Sequence, residues 1–286
     1  MMMLASTMPA ISYLQVALAS LALLLVMAIS VWLKLGIVKS LLIASFRTVV
    51  QLSLIGLVLA WIFAREQWYE VLAILTFMSI VATIAAKNRV KKPYQGLFWD
   101  TALAVFVSSW VVAIFGGGWV LSDNAASWFR PQVMIPLLGL ILGNSLTAIS
   151  LSMNQLVSSF HREQSMINTY LALSATPWET AKPYVIAAIQ NGITPTINSM
   201  MVVGVVSLPG MMTGQILAGA DPHQAVLYQI ITLFLIATSS TLGCTIATLL
   251  IFRRFFNPEW QFVIPTSAKT SHQPLIGYLS LIYYKF

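Results

Sequence analysis

Charged side chains make up only 8% of these 286 residues, against the roughly 25% that clothes a soluble domain. A water-soluble fold is thereby excluded, and lipid has to be the solvent for much of the chain. Cysteine occurs once, as Cys244 inside an apolar run, which rules out a disulfide framework and a cysteine-based metal site. There are eight acids, and none sits in the middle of a long apolar run, where a proton-coupled antiporter commonly carries one. Asp100, at the inner edge of the fourth run, comes nearest. No G-x-x-x-x-G-K-[ST] is present, and Gly116-Gly117-Gly118 lacks the Lys and Ser/Thr that would have to follow, so the chain carries no phosphate loop for ATP. Neither H-E-x-x-H nor G-x-S-x-G stands on a span, which argues against an intramembrane enzyme. No internal repeat is visible, a point against the inverted-repeat design of many secondary transporters. The first apolar run has no basic segment or small-residue cleavage site around it, and reads as a retained helix.

What is present is apolar: 58% of the residues are hydrophobic and the mean hydropathy is +0.85. Seven runs have spanning length, at about 12–33, 40–63, 70–87, 98–121, 132–156, 193–217 and 226–252. The expected fold is all-α and polytopic. It has about seven transmembrane helices in one domain over 1–256, with a cytoplasmic loop at about 157–185 between helices five and six. Residues 257–286 form a C-terminal tail broken by Pro258, Pro265 and Pro274, which either lies on the membrane surface or is disordered. Lys and Arg set the orientation. With the 157–185 loop in the cytoplasm, Lys34, Lys39, Lys87, Arg89, Lys91, Lys92, Arg162, Lys182, Arg253 and Arg254 are inside, and only Arg65 and Arg130 are outside. The N-terminus is then outside and the C-terminus cytoplasmic. The net charge of +7 is thus a topology signal, not a nucleic-acid footprint.

The loop has its own grammar. Thr176-Pro177-Trp178-Glu179 is a helix start: Thr176 as N-cap, Pro177 at the first position, and Glu179 at the third, reaching back to the cap. Pro183 is expected to end or kink this helix two turns later. Upstream, Ile167, Tyr170, Leu171 and Ser174 share a helix face, so two short amphipathic helices meet at a sharp turn over 174–176. Simple packing between spans is one reading of such a hairpin. The other is a protein-docking surface with Trp178 as its apolar anchor, bordered by Lys182.

The run LALSATPWETAKPYVIAAIQNGITP resembles the coupling loop of ATP-binding-cassette permeases. It departs from their usual form in having Asn168-Thr169-Tyr170 for Glu-Ala-Ala, and Ser174 for Gly. The run TINSMMVVGVVSLPGMMTGQILAGADPHQAVLYQI, from Thr196 to Ile230, resembles the signature of the FetB-type iron-export permease family, whose plant relatives are linked to aluminium tolerance. Arg47-Thr48-Val49-Val50-Gln51-Leu52 and Leu142-Gly143-Asn144-Ser145 extend the resemblance to about Phe256. It implies a membrane permease subunit of a bacterial inner membrane, a homodimer, driven by a separate cytoplasmic ATPase chain that carries the ATP. This chain itself would bind no cofactor and would not be an enzyme.

The path through the membrane is read from polar and irregular positions. Arg47 and Gln51 lie one turn apart on one face of the second span; either the pair faces the bundle or Arg47 snorkels to the surface. The fifth span is rich in polar and small residues that also suit helix packing, and Asn144, beside Gly143, is its path-lining candidate. In the sixth, Asn198 and Met200-Met201 precede a break at Ser207-Leu208-Pro209-Gly210, and Met211-Met212 follow. Irregular backbone at membrane depth lines a cavity or is buried in protein, so 207–212 is the candidate constriction. The methionines either hold soft cations or fill gaps. Asp221 and His223 are the metal candidates, with a solvated turn as the other reading. The expected function is the permease of an ATP-driven exporter of iron or another metal ion. The metal is implied by the resemblance alone, and a sugar nucleotide is an alternative cargo. The alternative class is a self-sufficient secondary metal antiporter.

Overall fold

The computed structural model describes residues 12–65, 67–120, 129–257 and 259–265. The tail beyond 265, with Pro274 and His272, lies outside the described residues, as do Pro258, Glu66 and Asp123. Among the described residues the chain is helical, with two isolated β-bridges and no strands. The helices are α1 (Tyr13–Trp32), α2 (Val38–Arg65), α3 (Trp68–Lys87), α4 (Leu97–Phe115), α5 (Pro131–Arg162), α6 (Gln164–Ala172), α7 (Pro177–Val202), α8 (Gly210–Leu217) and α9 (Pro222–Phe255). A π-helical turn over Gly116–Val120 extends α4.

Among the described residues six helices are long and apolar enough to cross a membrane: α1, α2, α3, α4 with its π turn, α5 and α9. They match six of the seven expected runs. The remaining run, 193–217, is corrected. Its first half is the end of α7, which begins back at Pro177 inside the expected loop and runs through Pro183 and Pro195 without ending. Its second half is the separate helix α8. Pro183 therefore does not stop the helix. It removes one intrahelical bond, while Thr180, Ala181, Val185, Ala188, Gly192 and Thr196 are buried along the rest of α7 and hold it in place.

The residues gather into two compact units, 1–71 with 210–226, and 72–209 with 227–286. In the first, α1 packs on α2. A capping box opens α1: Gln15 N–H donates to Ser12 Oγ at 3.4 Å, and Ser12 N–H donates to Gln15 Oε1 at 2.8 Å. Of the side chains on α2, Ile62 is buried.

The second unit is a bundle around α5. Ser145 and Ser239 hydroxyls meet at 2.8 Å, and Phe160 stacks on Phe255 with ring centroids 5.3 Å apart, so α9 runs parallel to α5. α7 runs antiparallel to both. A Cβ at Gly192 would sit 2.7 Å from Cys244 Sγ and 2.8 Å from the Ala148 carbonyl, while Trp178, at the other end of α7, meets Phe252. The close approach of the α5 backbone and of the Cys244 side chain of α9 at Gly192 is the small-residue packing that lipid-embedded helices favour. The helix at the place of the expected sixth run is thus α7, which starts at Pro177, well before 193, and is not among the six apolar enough to cross. Hydroxyls inside the helices mostly donate to carbonyls one turn back, as at Ser79, Thr83, Thr101, Ser108, Thr232 and Thr248. Such bonds hide polar groups where no water is present.

Candidate functional site

One end of the second unit collects the basic residues. The C-terminal end of α3, the N-terminal end of α4, the C-terminal ends of α5 and α9 and the N-terminal end of α7 converge there. α5 and α9, with 32 and 34 residues, are about 48 and 51 Å long at 1.5 Å per residue. A hydrocarbon core is about 30 Å thick, so their ends project from it and carry α6 and the start of α7.

The α6–α7 turn is built from few groups. α6 buries Ile167 fully, which fixes which face of the short helix is left outside. Ser174 takes a left-handed backbone with φ +67°, the conformation that glycine adopts most freely, and Ala175 N–H donates to the Tyr170 carbonyl at 3.0 Å. Then α7 starts as a proline capping box. Glu179 N–H donates to Thr176 Oγ1 at 3.2 Å, and Thr176 N–H donates to Glu179 Oε2 at 2.8 Å. The Thr176 hydroxyl also donates to that oxygen, at 2.7 Å. These bonds, the hydroxyl's first, hold the Glu179 carboxyl below its usual range. Pro177 occupies the first helical position. Trp178 is 42% exposed and meets Phe252 edge-on, with centroids 5.4 Å apart. Tyr170 is 46% exposed and Leu173 73% exposed; Leu171 is half-buried, and Lys182 and Ser174 are exposed. A cleft of about 360 Å³ opens between the two helices, lined by Met166, Tyr170, Ala175, Glu179, Thr180 and Tyr184 among others. The result is a rigid, partly apolar ledge with a groove.

Beneath the ledge lies an aromatic cluster that sequence reading missed. Phe160 touches Tyr184, Phe255, Phe256 and Phe262, with centroids 5.3 to 6.1 Å apart. Residues 259–265 fold back on this cluster: Val263 N–H donates to the Phe255 carbonyl at 2.8 Å and Gln95 N–H to the Pro265 carbonyl at 3.4 Å. A half-buried ion pair was missed as well. Asp100 is 3% exposed; its Oδ2 accepts from Arg254 Nε at 2.5 Å and from the Tyr94 hydroxyl at 2.9 Å. Burial first, and the Asp100 charge next, push the Tyr94 hydroxyl far above its usual range, so it stays a donor. A buried acid needs a cation, but nothing local to Asp100 singles out Arg254 among the basic residues at this end. Two further basic-end groups bind α5. Arg89 Nη1 donates to Thr147 Oγ1 at 3.0 Å, and Lys91 N–H to Asn154 Oδ1 at 3.1 Å.

The expected path residues fall in both units. Arg47 and Gln51 lie exposed on α2, and Met211 and Met212 on α8, half-buried and buried. In the second unit, Asn144 is exposed and its amide donates to the Leu140 carbonyl at 2.8 Å. A Cβ at neighbouring Gly143 would meet nothing within 4 Å. Asn198 is exposed, Met200 half-buried, and Met201 76% exposed. The break begins earlier than 207. α7 ends at Val202, and Val206 N–H donates to the Val202 carbonyl while Gly204 N–H donates to that of Ser207, both at 2.9 Å. Its left-handed glycine is Gly204, with φ +83°. Gly210, placed within the break by the sequence reading, is instead the first residue of α8, and Pro209 precedes it. Asp221 Oδ2 accepts from Gln224 N–H at 3.0 Å at the start of α9, and His223 is exposed. Among the described residues no three His, Cys, Asp or Glu side chains group as metal ligands.

The chain matches the model of the uncharacterised protein family UPF0014 from residue 13 to residue 256. It is 38% identical over 233 residues to UPF0014 membrane protein slr1647 of Synechocystis, covering 82% of this chain and 89% of that protein. It is 33% identical over 239 residues to the probable iron export permease protein FetB of Escherichia coli, again covering 82% and 89%. To protein ALUMINUM SENSITIVE 3 of Arabidopsis thaliana it is 30% identical over 215 residues, covering 75% and 77%. No solved structure matches it. With matches that run nearly the whole bundle, this chain belongs to the UPF0014 family of membrane proteins.

Proposed function

We propose that the chain is the permease subunit of an ATP-driven exporter whose ATPase is a separate cytoplasmic chain. The observation that carries this is the α6–α7 ledge. Its turn is rigidified at both sides, its groove is open, and its anchor Trp178 rests on α9 through Phe252. A rigid exposed ledge at the start of a long helix is what a lever needs: force on the ledge moves α7 as one body up to the break at 203–209. In this reading the basic end faces the cytoplasm, the N-terminus is outside, and two copies of the chain assemble with the ATPase subunits. The path runs along the exposed face of Asn144 and Asn198 toward the break. A relative named as a probable iron export permease makes iron the first cargo to test, and a transported ion needs only transient contacts, not a closed ligand cluster.

The test is purification in mild detergent followed by transport in vesicles. A Walker-type ATPase is expected to co-purify, and metal efflux is expected to need ATP. The Trp178→Ala, Glu179→Ala double variant is expected to lose coupled efflux by at least about tenfold, as loss of a central interface anchor costs about 2 kcal/mol or more. Full ATP-dependent efflux by that variant, with ATPase binding unchanged, would sink the ledge assignment. A chain that purifies alone and moves metal down a proton gradient would be the antiporter instead.

A further inference from the structure

A second pocket lies at the basic end, away from the ledge groove. It has a volume of about 590 Å³ and is lined by Gln95, Gly96, Trp99, Arg253, Arg254 and Pro265. Three features concentrate positive potential there. The first is the N-terminal end of α4, whose N-cap is Gly96 with φ +92° and no capping side chain, so it presents backbone N–H groups and the positive pole of a 19-residue helix. The second is Arg254, whose guanidinium lies so close to Gly96 that a Cβ there would collide with it. The third is Arg253, exposed and, among the described residues, in no ion pair. Against them, among the described residues, stand the carboxylate of Asp100, already occupied by Arg254 Nε and the Tyr94 hydroxyl, and the negative pole of α9, whose last turn carries both arginines. The two helix poles offset each other and Arg254 neutralises Asp100, so the charge of Arg253 is left in excess, which an anion would balance. Trp99 is 71% exposed on the same pocket, and an indole is the side chain favoured at headgroup level.

We propose that this pocket binds a phosphate group, held as the headgroup of an anionic phospholipid. The two arginines offer the forked donors that suit phosphate oxygens, and basic pockets between membrane helices hold such headgroups. Trp99 lies along the lipid beside them. The site is independent of the ledge, so it stands whether or not an ATPase docks there.

Native mass spectrometry of the full-length protein, with phosphatidylglycerol or phosphatidylcholine added, tests the proposal. One phosphatidylglycerol per chain is expected to survive detergent exchange, with no matching phosphatidylcholine adduct. Arg253→Gln leaves the Asp100–Arg254 pair intact and is expected to weaken that adduct roughly fivefold, the share of one cation at an anionic surface. Trp99→Ala is expected to weaken it too, and Arg130→Gln, at the opposite end of α5, to leave it unchanged. Equal retention of both lipids, or an Arg253→Gln protein that binds as the wild type, overturns the site. Titration with inorganic phosphate separates the sources: Arg253-dependent phosphate binding without a lipid adduct overturns the lipid assignment. Loss of ATPase co-purification on Arg253→Gln, with no adduct on the wild type, gives the pocket to an acidic protein partner and overturns it as well.

Discussion

Ser174 shows how one residue can carry the shape of a loop. Its backbone is left-handed, which costs an L-residue roughly 1–2 kcal/mol but costs glycine nothing. Ser174→Gly is therefore expected to melt no lower than the wild type and to keep its partner, while Ser174→Val, β-branched, is expected to lose about 1–2 kcal/mol. Melting curves and co-purification check both. Glu179 adds a pH dependence whose sign is set by its depressed carboxyl. A carboxyl lowered by folding contributes stability above its unfolded value, and that contribution is lost as pH falls through the lower folded value. The start of α7 is thus expected to be intact at neutral pH and to fray only in acid, below the usual carboxylate range. Hydrogen-exchange protection of residues 176–180, corrected for intrinsic rates, should show this fall, and Glu179→Gln should abolish its pH dependence. The cap itself was legible because Thr-Pro-x-Glu is a local pattern. The left-handed turn was foreshadowed only by serine standing where the resembling loops have glycine.

At the scale of elements, α7 is the informative helix. Sequence reading expected it to end or kink at Pro183 and started a span at 193, because proline and polarity are local warnings. The helix persists because burial along one stripe outweighs a missing hydrogen bond. Gly192 lies on that stripe, where α5, α7 and α9 meet. Gly192→Val is expected to destabilise the bundle by about 1–3 kcal/mol through overpacking, measured as a lower melting temperature in detergent. Gly143→Ala is the contrast: a Cβ there enters open space, and helix propensity favours alanine by about 1 kcal/mol, so its melting temperature should not fall. If transport drops in Gly143→Ala while stability holds, the face of Asn144 is functional surface and not packing.

At the scale of the whole molecule, the pairing of Asp100 with Arg254 ties the start of α4 to the end of α9 across 154 positions of sequence. Arg254→Gln leaves Asp100 buried with only Tyr94. A fully buried pair broken this way costs 3–5 kcal/mol; with the Arg254 side chain 38% exposed, solvent reduces that to on the order of 2 kcal/mol. A smaller melting shift than the Gly192→Val variant shows would mean that water reaches Asp100 once the arginine is gone. The aromatic cluster around Phe160 lies beside this pair and beneath Trp178. A load on the ledge thus meets α5, α7 and α9 together.

Scarcity of charge and the length of the apolar runs determined by themselves that the chain lives in lipid and is helical, because only helices and closed barrels satisfy the backbone there and runs of about 20 residues are helix length, not strand length. The same local rules located six of the spans within a few residues and the cap at Thr176. Tertiary structure alone decided that α7 runs from Pro177 to Val202, that the break begins before 207 with Gly204 as its left-handed residue, and that Arg254 is the cation that answers Asp100. Each of these depends on what lies across the bundle from a residue. Burial against a distant helix, and a counter-charge 154 positions away, leave no mark on the neighbouring sequence.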